Sequence, residues 1–158
     1  MYSDDFILEL LKCEKEIIDS PKELKEDRGN LKANFTLKST NQNFSFYGFI
    51  RQNVKFSENF SIGLDYNPIE IKGTILLLRC NGPHGENKIY PHHIGCHIHK
   101  ATASRINNGL KPEGDIEMTT EYATITDAIQ YFIKIINLKT SDRQKYFPPP
   151  TNQIELFD

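Results

Sequence analysis

Between residues 31 and 66 apolar and polar side chains take turns. In LKANFTLK (31–38) the apolar positions are Leu31, Ala33, Phe35 and Leu37; NFSFYGFIRQ (43–52) puts Phe44, Phe46 and Ile50 on one face; FSIGLDY (60–66) repeats the pattern with Phe60, Ile62, Leu64 and Tyr66. A period of two is the signature of a strand with one buried face, and no helix satisfies it. Two further segments extend the series. GTILLLRC (73–80) is almost continuously apolar, as in a central strand covered on both faces, and IGCHIHKA (94–101) reads as its partner beyond a Gly- and Pro-containing loop.

Helices are expected at both ends of the domain. SDDFILELLKCEKEII (3–18) carries Ser3 as an N-cap, Asp4 and Asp5 at the positive end of the dipole, and a stripe of Phe6, Leu10, Cys13 and Ile17. TDAIQYFIKIIN (126–137) has Thr126 as a candidate N-cap and turns Ala128, Ile129, Phe132, Ile133 and Ile136 inward. Segment 19–30 reads as a surface connection, and 102–123 as a short helix or irregular turn followed by a loop. The expectation is an α+β domain over residues 1–138, a mostly antiparallel sheet of about five strands flanked by an N-terminal and a C-terminal helix. A polar, Pro-containing tail covers 139–158.

Composition narrows the function classes. Across 158 residues the formal net charge is −2, which argues against a general nucleic-acid binder coated in Lys and Arg. No apolar run reaches the roughly eighteen residues a membrane span needs. The opening MYSDDFILELLK is acidic where a secretory signal would be basic, and the three cysteines, Cys13, Cys80 and Cys96, are an odd count. Both facts point to reduced thiols and a cytoplasmic location.

All five histidines, His84, His92, His93, His97 and His99, fall within the sixteen residues HGENKIYPHHIGCHIH (84–99). Strand alternation sends His97 and His99 to one face and Cys96 and Ile98 to the other. If 73–80 and 94–101 pair as an antiparallel hairpin with Cys80 and Cys96 inward, Arg79 joins the histidine face opposite His97 or a neighbour two residues away. His84 stands where the loop can fold back over that face. His92 and His93 follow Tyr-Pro and read as solvated loop residues; Cys80 and Cys96 read as core.

One guanidinium with two or three imidazoles suits metal-independent phosphodiester chemistry. Imidazoles exchange protons near neutral pH, an arginine fork binds phosphate, and in RNA the 2′-hydroxyl is the nucleophile. In this reading His97 and His99 transfer protons, Arg79 binds phosphate, His84 assists, RNA is the substrate and no cofactor is needed. The competing chemistry is a divalent transition metal held by His84, His97 and His99, with Glu86 the sole carboxylate in the loop.

The stretch LLLRCNGPHGENKI…HIGCHIHKA also resembles the core of a family of small bacterial proteins of unknown function. That family shows a strand ending in Arg, a turn into Pro-His, a polar loop and a P-H-x-H-I strand. The positions that match are Arg79, Pro83, His84, His97 and His99, and HHIGC replaces the proline-led approach to the last strand. The likeness spans about residues 5–138 and implies a shared site without naming its reaction.

The terminal QIELFD is similar to the pentapeptide with which bacterial replication proteins dock on the DNA sliding clamp. Gln153 takes the hydrogen-bonding place, Ile154 and Glu155 the middle, and Leu156 and Phe157 the apolar pair. Pro148–Pro150 would act as a stiff spacer. The alternative to an enzyme is therefore a phage or mobile-element interaction protein that engages a host partner, such as the clamp, through this peptide.

Overall fold

The computed structural model describes residues 1–21, 23–84 and 94–150. Among these the chain is α+β, with four helices and a single antiparallel sheet of eight strands rather than about five. Glu86, His92 and His93 lie outside the described residues, as do Gln153, Ile154, Glu155, Leu156 and Phe157.

Helix α1 (Asp4–Lys12) begins where expected: Ser3 Oγ accepts from the Phe6 amide at 3.1 Å, and Ile7 and Leu10 are buried. It is shorter than its apolar stripe. Cys13 is the C-cap, and Ile17 belongs instead to β1 (Lys15–Asp19), paired with the edge of β3 (Asn30–Ser39). The β-branched Ile17 and Ile18 and an available strand edge outweigh the helical spacing. The turn is pinned by Lys15. Its buried Nζ donates to the carbonyls of Leu11, Cys13 and Ile136 at 2.8, 2.9 and 2.9 Å and lies 4.8 Å from the Phe46 ring centroid. One ammonium thus satisfies carbonyls at the C-terminal ends of two helices.

Strand β2 (Lys25–Asp27) lies in the segment read as a surface connection and pairs with the start of β3. From β3 the sheet runs through β4 (Ser45–Asn53), β5 (Phe60–Asn67), β6 (Ile75–Asn81), β7 (His97–Lys100) and β8 (Asp115–Met118), each antiparallel to the last. Region 102–123 holds α2 (Ala103–Asn107) as well as β8, a strand exposed along its length that β7 templates. Helix α3 (Ile125–Ile135) is capped two residues earlier than expected: the Thr124 side chain, not that of Thr126, accepts from the Asp127 amide. Helix α4 (Thr140–Tyr146) docks on the strands, with Asp142 accepting the Ile17 amide at 2.8 Å and Phe147 packing 5.6 Å from Phe35.

The sheet is two-sided in chemistry. Phe35, Leu37, Phe46, Ile50, Ile62, Leu64, Cys80 and Ile98 are buried in one core with Leu10, Ala128, Phe132 and Ile133 of α1 and α3. The alternate positions form a polar face opposite those helices. A bulge in β6 breaks the parity: Leu64 pairs with Leu78 but Asp65 with Leu76, so the intervening Leu77 joins the core instead of sharing the face of Arg79 and Asn81.

Candidate functional site

Two cross-strand pairs build the site. Arg79 of β6 lies opposite His99 of β7, and Asn81 opposite His97. The i, i+2 alternation that places both histidines on one side places Arg79 and Asn81 there too. Just past β6, His84 reaches back so that its Nε2 stands 3.2 Å from His97 Nε2, with the ring centroids 5.0 Å apart. The His97 and His99 centroids are 5.1 Å apart. The Arg79–histidine cluster drawn from the sequence is thus brought together around His84, His97 and His99.

Backbone carbonyls set the tautomers. His97 Nδ1 lies 2.9 Å from Gly95 O and His99 Nδ1 3.2 Å from Glu113 O. A carbonyl can only accept, so each Nδ1 carries the proton and each Nε2 the lone pair. Asn81 reinforces this at His97: its Oδ1 accepts from Ser61 Oγ at 2.8 Å, which turns Nδ2 toward His97 Nε2 at 3.4 Å. The proton in the His84–His97 contact therefore belongs to His84.

His97 is fully buried and His99 8% exposed. Burial first, and then the Arg79 charge beside it, pull the His99 pKa down to about 4, against the opposing pull of the Glu113 carbonyl, so the ring is neutral at neutral pH. The Arg79 Nε–H is itself buried, and among the described residues it has no acceptor. Behind the histidines, the buried Tyr122 hydroxyl lies 2.9 Å from both Asn81 O and His97 O and shares its proton between the two strands.

Cys80 is in the core and Cys96 half-buried just ahead of β7; both thiols are raised by burial, Cys80 to about 12, which suits packing rather than nucleophilic or ligand roles. His84 and His97 could each offer a nitrogen to a metal, yet among the described residues no group of three His, Cys, Asp or Glu is placed to hold one. Sequence reasoning passed over Ser61, Gly95, Glu113 and Tyr122. Their parts depend on backbone carbonyls and on strand neighbours distant in the chain; Asn81 differs from them, because its even spacing from Arg79 puts it on the same face.

The fold and site define an α+β protein whose one-sided sheet carries an Arg–His cluster at a hairpin. No family model, curated protein or solved structure matches this chain. No described helix is long and apolar enough to cross a membrane.

Proposed function

We propose that the protein is a metal-independent phosphodiesterase that cleaves RNA. The observation that carries this reading is the 3.2 Å Nε2···Nε2 contact of His84 and His97 beside Arg79, whose buried Nε–H has no acceptor among the described residues. In this reading His84 acts as an imidazolium acid and His97 as a neutral base; two imidazolium ions at that distance would repel.

Substrate binding exchanges the His84–His97 hydrogen bond for one bond from each ring to a substrate oxygen. His97 Nε2 takes the proton of the 2′-hydroxyl as O2′ bonds to phosphorus. The bond from phosphorus to O5′ breaks, and O5′ takes the proton of His84, leaving a 2′,3′-cyclic phosphate. The acquired proton then returns from His97 to His84 across their restored contact. Arg79 holds the phosphate and stabilises the charge that builds on its oxygens. His99, neutral beside Arg79, positions the arginine and the substrate without exchanging a proton. This casts His84 as the partner of His97, a role that strand alternation had suggested for His99.

The test is cleavage of end-labelled RNA in EDTA by the wild type and by His84→Ala, His97→Ala and His99→Ala. The expected result is cyclic-phosphate ends, with the His84 and His97 variants slowed by about 10²–10⁴. Absence of cleavage with and without added divalent metals refutes the reading, and cleavage that requires a metal transfers the site to metal chemistry.

A further inference from the structure

Across the polar face two straight rows lead away from the histidines. One runs Asn34, Phe49, Gly63, Arg79, His99, each the register partner of the next on β3 through β7; the other runs Lys32, Arg51, Ser61, Asn81, His97. Phe49 and His99 are three strands apart, about 14 Å at a strand spacing of ~4.8 Å.

The first row has an unusual surface at its far end. A Cβ on Gly63 would lie 2.1 Å from Phe49 Cζ, so the Phe49 ring rests on the bare backbone of Gly63, next to Arg79. The Arg51 guanidinium carbon is 5.3 Å from the Phe49 centroid, and its position is fixed by hydrogen bonds to Ala33 O, Ile50 O and Asn34 Oδ1. Tyr47, two residues along the same strand, is 42% exposed. The face is therefore a held aromatic ring, a held guanidinium and a second ring, in line with the phosphate-binding arginine.

We infer that the β3–β5 part of this face is the binding platform for single-stranded RNA, with bases stacking on Tyr47 and on the Phe49–Arg51 pair while the scissile phosphate lies at Arg79. The inference rests on the phosphodiesterase reading for the kind of polymer. Planar π-surfaces interleaved with cations are the sequence-tolerant means of holding unpaired bases, and a duplex, whose bases are stacked internally, offers nothing to them. Lys32 lies in the Arg51 row, ion-paired with Asp27 at 2.8 Å. Asp65 is the carboxylate opposite Tyr47; burial and then Glu113 raise its pKa, and Arg51 opposes them.

The experiment is fluorescence anisotropy with a labelled oligouridylate of about twelve nucleotides, alongside cleavage kinetics on that oligomer and on the dinucleotide UpA. The variants are Phe49→Leu, which keeps an apolar cover on Gly63 but removes the π-face, and Tyr47→Ala on the exposed surface. Each should weaken binding of the single strand roughly tenfold and raise its KM with kcat unchanged. UpA, which reaches only the histidine end, should be cleaved as by the wild type. Thermal unfolding near the wild-type temperature separates lost stacking from lost fold. Oligouridylate bound by both variants as tightly as by the wild type, or a hybrid duplex bound equally well, overturns the platform. Binding that depends on Phe49 and Tyr47 without cleavage of either substrate leaves the platform standing and removes the phosphodiesterase.

Discussion

Replacing Lys15 by Met tests how the fold carries a charge at its centre. The side chain is fully buried and donates to three carbonyls; burial lowers its pKa from 10.5 to about 8. Below pH 8 both the folded and the unfolded chain hold the proton. Between 8 and 10.5 the unfolded chain binds more protons, so stability rises with pH across that window. From pH 7.5 to 9.5 the gain works out at about 2 kcal/mol, out of about 3 for the whole shift. Cys80 acts in the opposite sense. Its thiol, pushed up to about 12 from 9, makes the folded state lose stability above pH 9. That contribution is common to both proteins and cancels in their difference. The assay is urea unfolding of wild type and Lys15→Met at the two pH values, followed by far-UV circular dichroism because the chain has no tryptophan. The expected result is that the stability difference moves by about 2 kcal/mol in favour of the wild type as the pH rises. A difference constant to within about 0.5 kcal/mol would show that the three carbonyls compensate fully for burial, and would refute the reasoning.

Two further outcomes follow from the site. His99, held near 4 against an ordinary 6.5, should keep neutral-ring NMR shifts down to about pH 5; stability should fall as pH drops from 6.5 toward 4, and His99→Gln should flatten that slope. Tyr122→Phe removes the one proton shared by two buried carbonyls and should lower unfolding stability by about 1–2 kcal/mol; unchanged stability with faster exchange of the β7 amides would place the role of the hydroxyl in strand alignment alone.

What the sequence by itself determined is whatever depends on a local period. Alternation over 31–66 made the three central strands legible, and the same rule put His97, His99 and Arg79 on one face. Ser3 and the acidic first turn marked the start of α1. The tertiary structure decided what local spacing leaves open. Ile17 continues a helical stripe from Phe6, yet a strand edge provided by residues 36–39 claims it, and Lys15 secures the turn with carbonyls from both ends of the chain. Strand β2 has no apolar residue and the brief Ile116–Met118 alternation of β8 stays exposed, so pairing with β3 and β7 makes them strands. The bulge that sends Leu77 inward is a mismatch between two strands, a property neither possesses alone. At the site, the residue types were readable but the tautomers were not: the Glu113 carbonyl that orients His99 is fourteen residues away, and the contact that pairs His97 with His84 closes across thirteen. Contacts of that kind join residues brought together only by the fold, one through a backbone carbonyl that side-chain identity does not encode, so the chemistry of the cluster emerges with the tertiary structure.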